Sequence, residues 1–419
     1  MKNATIITGI DIGTTKIAVI IAEKKDGALN ILGFGKSSSS GLNKGIVVDI
    51  EDTIKSISKA IKEAENQANL EVESAYVGLT GEHIKGINCS GAISIFSNEY
   101  KNPAGEQITQ KHIDKVLEHS QAINLSPDRK ILHILSKEFK VDEKRGIKNP
   151  LGLSGHRLEA NVHLVTIQRN IEKDLETCIE QCGLDVAGFI LEPLASSSSV
   201  LDSNEKKLGS ILIDIGGGTS DVIIHFNDSI MHTGAIPLGG ENITKDIAFG
   251  LQTSLEQAEI LKCKYGIAKE SLANSDNKIK IIGTNGREDK EISEKDLSNI
   301  IQPRLMEIFT LAKNEVNKSE FKGEYTFGII LTGGGASMKN IPDLASEIFN
   351  MPIKIGIPDS INGKIDIINN PRFSTAIGIA QYVINNSNKK YEKLNFNKEN
   401  KSILSFINEK INEIIKQFK

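Results

Sequence analysis

The sequence predicts an α/β protein built from two duplicated lobes, and three observations carry that expectation. Strand-like runs alternate with helical ones: "KIAVIIAE" gives way to "TIKSISKAIKEAENQA", which gives way to "SAYVGLTG", the pattern of layered strands and helices. An apolar run that ends in an acid and a glycine turn occurs near the start, "GIDIGTTKIAVI" from Gly9 to Ile20, and again at mid-chain, "ILIDIGGGTSDVII" from Ile211 to Ile224. A further glycine turn, "GIILTGGGASMKNIPDLASEIF", also follows a strand but leads into a helix.

Length agrees with this division, because 419 residues exceed what one hydrophobic core usually serves. With 39% hydrophobic and 25% charged residues the chain reads as an ordinary globular protein. A formal net charge of -4 gives no general attraction to nucleic acid, and no basic patch supplies a local one. Four cysteines (Cys89, Cys178, Cys182, Cys263) are too sparse for a disulfide framework. Cys178 and Cys182 share one side of an expected helix, but no histidine or second cysteine pair completes a metal site. The start of the chain lacks a basic segment followed by a long apolar one, so a signal peptide is not expected. No run approaches 18 consecutive apolar residues.

Each acidic turn offers the same chemistry. A strand ending in Asp11 places a carboxylate at the mouth of a cleft, and Gly13 lets backbone N–H groups turn inward as an anion nest. Thr14 and Thr15 add hydroxyl donors, and Lys16 adds a compact positive charge suited to phosphate. Asp214 with Gly216, Gly217, Gly218 and Thr219 repeats the set from the other lobe. Two such loops face to face would clamp a polyphosphate. Asp11 and Asp214 would hold Mg²⁺, directly or through its retained waters. A lone turn of this kind is often an ordinary hairpin; two at equivalent places, with Gly333, Gly334, Gly335 and Ala336 as a third element, point to nucleotide. No P-loop sequence occurs, and the first two turns lead into strands.

Between about residues 84 and 165 the texture changes. "ITQKHIDKVLEHSQAI" reads as a helix with Ile113, Val116, Leu117, Ser120 and Ile123 on one side, while "KILHILSKEFKVD" and "RLEANVHLVT" read as strands around the loop "GIKNPLGLSG". That is a small α+β insertion in the first lobe. The expected organisation is a first lobe over 1–83, the insertion over 84–165, completion of the first lobe and a hinge over 166–200, and a second lobe over 201–384. A polar linker, 385–401, and a terminal helix, 402–419, follow. As a coil the linker would span about 20–25 Å.

In "KSILSFINEKINEIIKQFK" the residues Ile403, Leu404, Phe406, Ile407, Ile411, Ile414, Ile415 and Phe418 form one apolar stripe at helical spacing, opposite four lysines and two glutamates. Length and charge fit a helix lying in an anionic membrane surface. Eight partly buried apolar side chains contribute about 8 kcal/mol before the cost of ordering the helix. One copy would anchor weakly, and a polymer of copies strongly.

"GIDIGTTK", "LIDIGGGTSD" and "TGGGA" resemble the phosphate and adenosine motifs of the actin-like ATPase superfamily, which includes actin, MreB, DnaK-type chaperones and sugar kinases. The resemblance implies the two-lobed actin-like fold of duplicated ribonuclease-H-like domains, with ATP as ligand. "LEPLASS" resembles the segment linking the lobes, which implies that Glu192 positions water near the γ-phosphate. "PLGGENITKDIA" and "EQAEILKCKYG" resemble the purine and ribose contacts, implicating Gly240, Glu241, Glu259 and Lys262. "KILHILSKEFKVDEKRGIKNPLGLSGHRLEANVHLVT" closely resembles the inserted subdomain peculiar to the FtsA family of bacterial cell-division proteins, which replaces a unit found elsewhere in actin and MreB. His133 and His163 within it read as core residues.

What that resemblance implies is a self-polymerising protein that tethers FtsZ filaments to the cytoplasmic face of the cell membrane at the division site, with other division proteins as partners and any ATPase activity slow. The FtsZ C-terminal tail would contact a second-lobe helix read as starting at "PRLMEIFTLAKNEV", near Arg304 and Glu307. The competing classes are a small-molecule kinase, which lacks an evident extra Asp as base, and a pilus-assembly or chaperone-like binding module. In the run Ser196–Ser199 the sequence departs from the small apolar residues of relatives, which reads as tight packing alone.

Overall fold

The computed structural model describes residues 6–25, 28–95, 105–282, 288–319, 321, 323–359, 361–362 and 369–386. The expected terminal helix and most of the linker lie outside them. The first lobe begins with β1 (Ile6–Ile12), β2 (Lys16–Lys25) and β3 (Ala28–Ser38), then the short β4 (Leu42–Asn43) and β5 (Ile46–Val47), α1 (Ile50–Ala68) and β6 (Ser74–Leu79). Asp49 caps α1 by accepting from the Asp52 N–H, and Asn69 ends it in the left-handed conformation. Ile57, Ala60, Ile61 and Ala64, spaced along one stripe of α1, are buried.

The insertion follows as β7 (Lys85–Ser94), β8 (Glu106–Gln107), α2 (Gln110–Ser120), β9 (Arg129–Val141), β10 (Lys144–Ile147), β11 (Ser154–Gly155) and β12 (Arg157–Gln168). Four of these strands form a sheet in the order β10-β9-β12-β7. Ile113, Val116 and Leu117 of α2 close a separate core with Ile93, Phe139, Leu158, Ala160 and Val162. Ile123 packs beside it from beyond the helix end. His133 and His163 are buried, as expected of core residues. His133 Nε2 accepts from the Leu191 N–H at 3.0 Å, and His163 sits between Asn88 and Thr233. Burial pushes their pKa values down to about 4 and about 3.

The chain returns through α3 (Arg169–Gln181), β13 (Asp185–Leu191), α4 (Glu192–Val200) and α5 (Ser203–Leu208). The second lobe comprises β14 (Ser210–Ile215), β15 (Ser220–Phe226), β16 (Ser229–Ile236), α6 (Gly240–Leu251), α7 (Leu255–Tyr265), β17 (Lys278–Ile281), β18 (Lys290–Ser293), α8 (Glu294–Lys318), β19 (Ile329–Thr332), α9 (Ile341–Phe349) and β20 (Ile353–Ile355). β21 (Ile361–Asn362) and α10 (Ser374–Asn386) close the described chain.

The duplication is visible in the two main sheets. Their orders are β13-β6-β1-β2-β3-β21 and β16-β15-β14-β19-β20. In each, an antiparallel three-strand meander presents its first strand to a later parallel strand: β1 to β6, and β14 to β19. All six residues of β14 are buried, as its unbroken apolar run requires of a strand covered on both faces.

Two expectations are corrected. α10 lies within the span assigned to the second lobe, 201–384, yet it packs into the first-lobe core, where Ala376, Ile377, Ile379 and Ala380 meet Ile10, Ile17, Leu194 and Ala195. Every residue from Ser374 to Ile384 is buried, so the helix, mostly apolar, has neighbours on all sides. α8 begins at Glu294, not at Pro303, because Ser293 and Asp296 form a capping box; Pro303 sits inside the helix.

Candidate functional site

The two acidic hairpins close in the same way. The Gly13 N–H donates to the Lys16 carbonyl at 3.0 Å, and the Gly216 N–H to the Thr219 carbonyl at 2.9 Å. They then meet each other. A Cβ on Gly217 would lie 2.5 Å from the Thr15 side chain, and one on Gly218 would lie 2.3 Å from Thr14 Oγ1. Only glycine permits this approach of one lobe's turn to the other's. A cleft of about 510 Å³ opens beside the contact, lined by Asp11, Gly13 to Lys16, Asp214, Gly216 to Thr219 and Gly333 to Gly335.

Its base is acidic. Asp11, Glu192, Asp214 and Asp221 all line it and all are buried. Lys16 forms an ion pair with Asp11. Burial, then the charges of Asp11, Asp221 and Asp214, push the Glu192 carboxyl well above the usual range, with Lys16 opposing. Glu192 Oε1 is buried with no hydrogen-bond partner. Burial also raises Asp214, while donation from Ser196 counters it; the charge of Asp11 raises it further and Thr375 again opposes. Burial pushes Asp221 up to about 7 against the opposing hydrogen bond from Thr80.

Asp221 and Thr80 are absent from the sequence-based set. The Thr80 hydroxyl lies 2.7 Å from both oxygens of Asp221, a contact between first and second lobes. Asp221 stands opposite Asp214 across the β14–β15 hairpin. Its signal was the final letter of "GGGTSD"; only the hairpin register reveals that it shares a cleft with Asp214. Arg372 also lines the cleft without a motif to mark it, and Tyr265 lines it from within "EQAEILKCKYG", beside the two residues that the motif implicated.

At the far wall, the Gly240 N–H donates to the Gly216 carbonyl at 2.9 Å, tying α6 to the second turn. Lys262 on α7 donates to the Gly240 carbonyl and Thr244, and pairs with Glu259 at 2.6 Å. Gly240, Glu259 and Lys262 line the cleft, whereas Glu241 pairs with Lys245 at 2.8 Å and lies outside the lining. Ala336 is likewise outside it, buried beneath the third turn in the second-lobe core. Arg304 and Glu307 stand apart on α8. Arg304 grips Asp246 of α6 through two contacts, 2.6 and 3.0 Å, and also pairs with Glu307. The membrane stripe, Ile403 to Phe418, lies outside the described residues. Among the described residues, no helix is long and apolar enough to cross a membrane, and no three His, Cys, Asp or Glu side chains converge on a metal site by themselves.

Comparison with known proteins decides the family. The chain is 40% identical over 383 residues to the cell division protein FtsA of Pseudomonas aeruginosa, covering 91% of this chain and 90% of that protein. It belongs to the FtsA family. The FtsA of Escherichia coli K12 is 34% identical over 385 residues, covering 90% of each. The family model for cell division protein FtsA matches residues 211–378, and the model for the SHS2 domain inserted in FtsA matches residues 81–166, the α+β insertion. Among solved structures, the chain resembles one from a PilM-PilN type IV pilus biogenesis complex (TM-score 0.62, 14% identity, covering 90% of this chain and 98% of that one). It also resembles MreB5 of Spiroplasma citri bound to ADP (TM-score 0.55, 14% identity, covering 92% and 98%). These likenesses establish the actin-like ATPase fold with an FtsA-type insertion.

Proposed function

We propose that this FtsA-family protein binds ATP with Mg²⁺ between its lobes, polymerises, and holds FtsZ filaments at the cytoplasmic face of the membrane through its C-terminal helix. The observation that carries the nucleotide reading is the meeting of two glycine turns, each preceded by a buried acid, around one cleft. The MreB5 relative's bound ADP supports the choice of ligand.

The residues fit a hydrated divalent ion. The four acids of the base outnumber Lys16, and Glu192 carries an unpartnered buried oxygen. One or two carboxylates with phosphate and water suit magnesium, which rarely takes an all-protein cage. Bound there, the ion would neutralise phosphate charge. Turn N–H groups and Thr14, Thr15 and Thr219 hydroxyls would hold the phosphates, with Gly240, Glu259 and Lys262 toward the nucleoside. Glu192, whose carboxyl burial and then the charges of Asp11, Asp221 and Asp214 push above the usual range, would help position water near the γ-phosphate. Nucleotide would then act by fixing the angle between lobes and so biasing assembly.

For the FtsZ tail, Arg304 would exchange one of its present carboxylate partners, Asp246 or Glu307, for an acid of the tail. Phe249, one turn beyond Asp246 on α6, is 88% exposed and offers an apolar contact on that face. The anchor is tested by liposome sedimentation of the full chain beside one ending at Asn400. The full chain should pellet with anionic vesicles and the shortened one should stay in solution; Ile411→Glu should behave as the shortened chain without unfolding. Equal pelleting of all three would remove the anchor.

A further inference from the structure

The run Ser196–Ser199 has more order than packing requires. Ser197 and Ser198 donate to the Leu194 carbonyl, and Ser199 to the carbonyls of Ser196 and Ser374. Ser196, fully buried, instead turns its hydroxyl to a cleft acid and donates to Asp214 Oδ2 at 2.5 Å. Thr375, at the start of α10, donates to the same oxygen at 3.1 Å, and the two hydroxyl oxygens lie 3.0 Å apart. A buried hydroxyl is costly unless bonded, so alanine would serve packing better at 196. The other carboxylate oxygen, Oδ1, faces the third glycine turn: a Cβ on Gly333 would lie 2.2 Å from it, and Gly333 has a φ of +84° that suits glycine.

We propose that Ser196 and Thr375 are positioning residues that fix the carboxylate plane of Asp214. By holding Oδ2 from two helices, they leave Oδ1 as the acceptor presented to a hydrated divalent cation that arrives with the nucleotide. The inference rests on the cleft reading above. Asp11, in the first hairpin, has Lys16 as its partner; in the second hairpin, two neutral hydroxyls orient the acid and leave its charge free for a cation. Two donors in fixed places hold a carboxylate more firmly than one flexible ammonium does.

The test is calorimetry of a non-hydrolysable ATP analogue, with Mg²⁺ and with EDTA, on the full-length protein and on Ser196→Ala, Thr375→Val and Thr375→Ser. The ratio of the two affinities is the readout. Each hydroxyl deletion should lower that ratio about tenfold, from the usual worth of a hydrogen bond to a charged group. Affinity in EDTA should be unchanged, and Thr375→Ser, which keeps the hydroxyl, should match the unaltered protein. An unchanged ratio in both deletions, or equal losses with and without metal, overturns the positioning role, since a merely structural defect affects both conditions. Should Ser196→Ala fail to fold, the Thr375→Val and Thr375→Ser pair decides alone. An unaltered protein that binds the analogue with no response to Mg²⁺ would overturn the cleft reading itself, and that result is seen before any variant is made.

Discussion

The two acidic hairpins share a backbone and differ in charge. Both close through the same turn hydrogen bond, and both place an acid two residues before the turn glycine. Across the first hairpin Asp11 faces Ala18; across the second Asp214 faces Asp221. Lys16 of the first corresponds to Thr219 of the second. One hairpin therefore brings an ion pair to the cleft and the other a pair of acids. The duplication supplies a repeated anion nest, and the side chains at matching positions divide the electrostatic work, so equal changes in the two halves should have unequal effects.

The largest effect is expected at Asp214. Asp214→Ala should abolish Mg²⁺-dependent nucleotide binding, a loss of about 100-fold or more by calorimetry, and normal affinity would contradict the assignment.

Asp221 comes next and separates the halves by pH. Its folded pKa, about 7, lies above the unfolded value of about 3.9. Its contribution to stability is therefore fully present below about pH 4 and is lost as pH rises through 7. In metal-free protein, Asp221→Asn should flatten the denaturation free energy between pH 4 and 7 and stabilise the protein at pH 8 by at most about 4 kcal/mol. Ala18, at the matching position, carries no charge and gives its hairpin no such dependence. Unchanged pH dependence in Asp221→Asn would mean that the buried acid does not titrate there.

A smaller, steric difference lies in the turns. Gly218→Val would drive a side chain into Thr14 and cost about 1–3 kcal/mol, by overpacking that forces the lobes apart. Gly13→Ala would place its Cβ 3.0 Å from the Lys16 carbonyl and at ordinary contact distance, 3.9 Å, from Asp11 Oδ1, and should cost less in both melting temperature and nucleotide affinity. Equal costs would show that the turns do not meet as described.

Local signals made the framework legible. An acid and glycines between apolar runs mark a hairpin wherever it occurs, and helical spacing identified α1 and α2. What escaped depended on distant pairing. Asp221 acquires its role from Thr80 on the other lobe, and Ser196 acquires its role from Asp214 and Thr375, so no window of sequence contains either relation. The lobe against which α10 packs is not legible, because a mostly apolar helix announces burial but not its neighbours. Glu241 shares a motif with Gly240 but projects away from the cleft to Lys245, a direction that helix geometry sets and a motif does not.

A crystal structure of the full chain grown with Mg²⁺ and a non-hydrolysable ATP analogue tests the central claim most directly. Phosphate density should lie between the turn of Gly13 to Thr15 and that of Gly216 to Gly218, with metal density beside Asp214 Oδ1. A cleft empty at saturating ligand, or an analogue bound to one lobe alone, would contradict it.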